Sequence, residues 1–137
     1  MWGITDMRGA IIWAAALMIL SQPVFAQEVD CKNPPDQLTM NTCAEKDYKA
    51  SDKKLNDTYH ALMAAISKPG QAKLQKAQRS WVAYRDAQCD FDTMGTSTGS
   101  IHPMIQLACL SGLTQMQTEH LNQQLHCQEG DTACGGQ

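Results

Sequence analysis

Apolar residues recur by threes and fours along most of this chain, and no stretch alternates with the period of two that a half-buried strand needs. The first run is Ala44, Tyr48, Leu55, Tyr59, Leu62, Met63 and Ile66, with Lys46, Lys49, Lys53 and His60 on the other face of a long amphipathic helix. Asp36 follows Pro34-Pro35 and can cap the start of that helix. Thr42-x-x-Glu45 offers a capping box a turn or more later, and Pro69-Gly70 is expected to end the helix. A second helix is expected from about Gln71 to Cys89, with Leu74, Ala77, Trp81 and Tyr84 as its seam and Val82, Arg85 and Cys89 flanking. A third runs from near Ser100 to about Leu125. It carries Ile105, Cys109, Leu113 and Met116, then Leu121 and Leu125 after a one-residue slip, and Pro103 fits in its first turn. Between the last two helices, Asp90 to Gly99 has the Gly, Thr and Ser content of a mobile, exposed loop.

This pattern predicts an all-α fold: an antiparallel helical hairpin plus a third packed helix, a small disulfide-stapled bundle. Trp81, Tyr84, Arg85, Tyr48, Leu55 and Tyr59 are its expected structural core, with Arg85 paired to an acid on the first helix.

The N-terminal segment has a different character. Arg8, the apolar stretch Ala10 to Leu20 and the Val24-Phe25-Ala26 end read as a cleaved signal peptide over residues 1–26. A start at Met7 would give that segment a cleaner basic beginning. No cysteine stands at the cut, Cys31 lying several residues beyond, so the remainder is expected to carry no lipid anchor. It divides into a helical domain, residues 27–125, and a Cys-containing tail, residues 126–137. All six cysteines survive the cut, and an even count in a short exported chain argues for disulfides. Cys127 and Cys134 are close enough to pair with each other. For the rest, a regular hairpin about Pro69-Gly70 sets Cys43 too far along from Cys89, so Cys31–Cys89 and Cys43–Cys109 are the expected bridges.

The formal charge of −3 excludes a phosphate-backbone binder, which needs a basic patch. The cysteine spacings lack C-x-x-C and suit no structural metal site, and no cofactor motif occurs. Ser97, Ser100 and His102 share one loop without a fixed oxyanion site, and Asp86, Asp90 and Asp92 sit around a helix end in water. The expected protein is therefore not an enzyme. Phe91 and Met94 are apolar residues in an exposed loop, and with Asp90, Asp92, Thr93, Thr96, Ser97 and His102 they form the candidate partner-binding segment.

Asp36-Gln37, Met40-Asn41, Cys43-Ala44, Tyr48, Leu55-Asn56 and Tyr59 resemble the first half of a known domain. Leu74, Gln78-Arg79, Trp81, Tyr84-Arg85-Asp86, Cys89, Gly99-Ser100, Cys109, Thr114 and Leu121 match its second half. The chain from about Cys31 to Leu125 is thus similar to the LprI-like lysozyme-inhibitor domain, with W-x-x-Y-R-D-x-x-C as its most specific block. The resemblance implies a small exported helical domain, in the periplasm of a Gram-negative bacterium or secreted. The implied partner is a cationic lysozyme or another peptidoglycan hydrolase. Two departures stand out: the name-giving member is a lipoprotein, and this chain adds the Cys127–Cys134 tail. An immunity protein against a rival's cell-wall hydrolase, or an envelope scaffold module without inhibitory activity, fits the same sequence.

Overall fold

A computed structural model describes residues 29–128, 130–132 and 134. They form three α-helices, α1 (Gln37–Ala65), α2 (Lys68–Asp92) and α3 (His102–Leu125), with one 3-10 turn, Met94–Thr96, before α3. No strand occurs among the described residues, and the all-α class follows. The expected signal segment and the alternative start at Met7 lie outside the described residues.

Local chemistry sets the helix ends. Asp36 caps α1, its carboxylate accepting the Thr39 N–H at 2.7 Å. Thr42, the later candidate, instead donates its hydroxyl to the Leu38 carbonyl inside the helix. Pro69-Gly70 does not end α1. The helix stops at Ala65, Ile66 turns extended, and Ser67 caps α2 by accepting the Gly70 N–H. Pro69 falls in the first turn of α2, where a missing N–H leaves no bond unmade. Gln71 clamps this tight turn, its amide donating to the carbonyls of Met63 and Ile66. At its other end α2 overruns Cys89 and continues to Asp92.

Cross-helix contacts give the directions. Between α1 and α3 the sequence separation stays near 60 along the pair, being 59 at Asn41–Ser100, 60 at Ser51–Ser111 and 64 at Ser51–Gln115. These helices run parallel. Between α2 and α3 the separation shrinks from 39 at Gln78–Gln117 to 29 at Arg85–Thr114 and 20 at Cys89–Cys109, so they run antiparallel. The start of α1, the end of α2 and the start of α3 therefore meet at one end of the bundle, the tip. The α1–α2 turn and the end of α3 form the base. Although α1 and α2 make the hairpin, the most extensive packing is α1 on α3.

The apolar core sits toward the base, where Leu55, Leu62, Ile66 and Leu121 are buried against Tyr59, Leu74, Trp81 and Leu125. Nearer the tip the buried positions are small and polar: Ser51, Ser111, Thr114 and Thr118. The Ser51 and Ser111 hydroxyls meet across α1 and α3 at 2.8 Å. Thr118 bonds back to the Thr114 carbonyl, and no buried side-chain polar atom among the described residues lacks a partner. The expected α3 seam fails at Met116, which is exposed, because Thr114 and Thr118 take the inward face and let α1 approach closely.

Two disulfides hold the tip. Cys31–Cys43 folds the leader onto α1, and Cys89–Cys109 joins α2 to α3 with a Cα–Cα distance of 5.7 Å. Cys127–Cys134 closes the tail. The first two overturn the expected Cys31–Cys89 and Cys43–Cys109. With α2 and α3 antiparallel about the connection 93–101, Cys89 and Cys109 come level with each other. Only 12 residues separate Cys31 from Cys43, so the leader reaches back locally.

Arg85 links all three helices. Its side chain is buried, with Nε and Nη2 on the Asp86 carboxylate at 2.9 and 2.8 Å, and Nη1 3.3 Å from the Thr114 hydroxyl and 3.7 Å from Asp52. The guanidinium also lies over the rings of Tyr48 and Trp81 at 5.6 and 5.3 Å, a cation–π geometry. Burial pushes the Tyr48 phenol up from its ordinary pKa, and the Arg85 charge partly offsets this. Tyr84, expected beside Trp81 in the core, is instead 56% exposed, because the inward face of α2 passes through Trp81 and Arg85.

Two outcomes follow from this fold. Arg85→Ala should lower stability by roughly 2–4 kcal/mol, seen as a lower urea midpoint at unchanged m-value. That is below the cost of breaking a fully buried pair, since Asp52 and Asp86 stay partly in water. A change under about 0.5 kcal/mol would make Arg85 a spectator. The second concerns Asp36, whose pKa is lowered by the Thr39 N–H bond. Its folded pKa lies below its unfolded one, so the cap's contribution is complete above about pH 4 and fades as pH falls through the folded value. Asp36→Asn keeps a capping oxygen but cannot titrate. The stability difference between wild type and variant should therefore change across this acid range and be flat above about pH 5.

Candidate partner-binding tip

The segment between α2 and α3 is built rather than slack. Asp90, Phe91 and Asp92 belong to the last turn of α2, not to a loop. Thr93 is only 3% exposed. Its hydroxyl donates to the Cys89 carbonyl at 2.7 Å, closing the helix, so it is a cap and not a contact residue. Backbone bonds then step along the corner, from Thr96 N–H to the Thr93 carbonyl, Ser97 to Met94, Gly99 to Thr96 and His102 to Gly99. The Thr96 hydroxyl donates to the Thr93 carbonyl and lies 3.1 Å from His102 Nδ1, which keeps His102 half-buried. From α1, the Asn41 amide donates to the Ser100 carbonyl. The expected mobile loop is thus a hydrogen-bonded corner tied to both neighbouring helices.

That corner presents apolar side chains to water. Phe91 is 68% and Met94 63% exposed. The first turn of α1 and the lead-in to α3 add Leu38, 75% exposed, and Ile101 at the same end of the bundle. Neither was legible as a surface residue, because Leu38 precedes the stripe that begins at Ala44 and Ile101 lies just ahead of α3. Ser97 is exposed alongside them.

The α2–α3 side of the tip carries charge of one sign, while the leader tethered by Cys31–Cys43 brings Lys32. After Arg85 the chain carries no lysine or arginine, and α3 carries a single charged residue, Glu119. Asp90 and Asp92 are held by neutral amides, Asp90 accepting from Gln106 and Asp92 from Gln88, both at 2.8 Å. Their charge therefore remains available to an approaching cation. Asp36, exposed at the start of α1, adds a third carboxylate. Among the described residues no cluster of three or more His, Cys, Asp or Glu could hold a metal ion.

Residues 31–121 match the sequence profile of the family described as lysozyme inhibitor LprI. The chain is also similar to an uncharacterized protein of Rhizobium meliloti (strain 1021), 33% identical over 138 residues, covering 90% of this chain and 99% of that one. No solved structure matches it. No helix among the described residues is long and apolar enough to cross a membrane. The family is one of inhibitors rather than catalysts, its name implies a lysozyme as protein partner, and together with the three disulfides it suggests an extracytoplasmic protein. On the extent of that match, the chain belongs to the LprI lysozyme-inhibitor family.

Proposed function

We propose that this protein binds a lysozyme-type peptidoglycan-cleaving enzyme in the periplasm, or outside the cell, and blocks it with the bundle tip. The observation that carries this reading is the exposed pair Phe91 and Met94 on a corner fixed by hydrogen bonds and a disulfide. A backbone already fixed spares the cost of ordering a loop on docking, so large apolar side chains mounted on it make effective anchors. Lysozyme is a cationic enzyme with a carboxylate-lined cleft. The acids at Asp36, Asp90 and Asp92 favour encounter with its basic surface, and the protruding tip then occludes the cleft. Asp90, Ser97 and Thr96 flank the anchors, whereas Thr93 and His102 act from behind by holding the corner.

The test is lysis of a cell-wall suspension by c-type lysozyme, followed by turbidity with the purified, disulfide-intact protein added. Dose-dependent protection is expected, weakening as salt rises past the range where the Debye length falls below about 8 Å. Phe91→Ala with Met94→Ala should raise the inhibitory concentration by about 10- to 100-fold with an unchanged melting temperature. Asp90→Asn with Asp92→Asn should slow association and leave dissociation nearly unchanged. Cys89→Ser with Cys109→Ser should weaken inhibition by loosening the corner. Full protection by the Phe91/Met94 double variant would remove the tip as the contact surface, and no protection by wild type at large molar excess would remove this class of lysozyme as the target.

A further inference from the structure

The base of the bundle carries a second charged surface, opposite in sign to the tip. From Ser67 to Arg85 every charged residue is basic: Lys68, Lys73, Lys76, Arg79 and the buried Arg85. The first four are exposed. At 3.6 residues per turn, Lys76 lies opposite the seam of Leu74, Gln78, Trp81 and Arg85. Lys68, Lys73 and Arg79 fall within about 80° of it. All four cations therefore crown the outward face of α2, over a length of roughly 16 Å. Among the described residues no carboxylate pairs with them: Lys68 bonds to the neutral Gln71 amide oxygen, and the ion pairs there lie elsewhere, at Glu45–Lys49, Lys53–Asp57 and around Arg85.

Helix stability does not explain this layout. A helix macrodipole favours acids in the first turn and bases in the last. Here Lys68 stands in the first turn of α2 and Asp90 and Asp92 in the last, so the charges run against it. The cations also form a convex, spread array rather than a pocket. Such an array suits a plane of anionic groups better than one bound ion. The neighbouring exposed residues Ala72 and Ala83 are small, which allows close approach of the helix backbone without insertion.

We propose that the basic half of α2 docks on the headgroup plane of an anionic phospholipid bilayer. The attachment is electrostatic and reversible, each cation near such a surface adding to it and salt removing it within a Debye length. In this orientation the tip, at the other end of α2, stays clear of the bilayer and open to a partner. The inference does not depend on what the tip binds.

The test is co-sedimentation of the disulfide-intact protein with vesicles of phosphatidylcholine alone or with about one third phosphatidylglycerol. Binding is expected only to the anionic vesicles at low salt, falling steeply as salt is raised. Lys73→Glu with Lys76→Glu should weaken it by about tenfold or more. Lys49→Glu with Lys53→Glu makes the same change in net charge on α1 and should weaken it less than about threefold. Thermal melts of both variants establish that each is folded. Equal loss in both pairs would reduce the effect to net charge and overturn the assignment. So would equal binding to neutral vesicles, no binding to anionic ones, or binding to heparin without binding to vesicles.

Discussion

The rest of the bundle depends on the placement of one guanidinium. Arg85 comes from α2, yet it reaches Asp52 and Tyr48 on α1 and Thr114 on α3, while its neighbour Asp86 takes two of its N–H groups. A planar fork with five donors can satisfy all of these at once and still stack between two rings; an ammonium cannot. The contact matters because α2 packs less on its neighbours than α1 does on α3, and little else joins it to α1 at this level. Two carboxylates that remain partly in water hold the arginine, so the desolvation of its charge is shared with groups that keep some hydration.

The molecule is stabilised differently at its two ends. At the base, Leu55, Leu62, Ile66 and Leu121 form an apolar cluster, and burial of each such side chain is worth about 1.5–3 kcal/mol. Toward the tip the buried groups are hydroxyls, which contribute far less net free energy once paired. Disulfides stand in for the missing core: Cys31–Cys43 and Cys89–Cys109 lie at or near the tip. This division frees the tip's large apolar residues from the interior. Phe91, Met94 and Leu38 can face water because the bundle end does not need them for closure.

Much of the architecture was legible in the sequence. The 3.6-residue period gives three helices, Asp36 marks the start of α1, and the family resemblance read from Cys31 to Leu125 coincides with the matched residues 31–121. What was not legible depended on how helices meet. Pro69-Gly70 reads equally well as a stop or as a first turn, and Ser67 decided it by capping α2. Closeness in sequence gives Cys127–Cys134, but the α1–α2 register points the other four cysteines to the wrong partners. Their two bridges are set by the antiparallel α2–α3 pair and by a local fold-back of the leader. Periodicity placed Tyr84 and Met116 inside, but narrow contacts through Arg85, Thr114 and Thr118 leave them outside. The Gly- and Thr-rich corner looked loose by composition; the same hydroxyls that make it polar are what fix it, as Thr93 and Thr96 bond back to the chain.

These points converge on α2. Its inward face is committed to a narrow seam running through Arg85 to Cys89, so its outer face is free to vary without disturbing the core. Along that face the charge changes sign once, from Lys68, Lys73, Lys76 and Arg79 to Asp86 and Asp90. A chain with a net charge of only −3 thereby carries a basic base and an acidic, apolar tip at opposite ends of one helix. Net charge alone would describe a weakly acidic and unremarkable surface. The separation along α2 gives the molecule an orientation in any external field, and it points the anchored apolar residues away from whatever the cations approach.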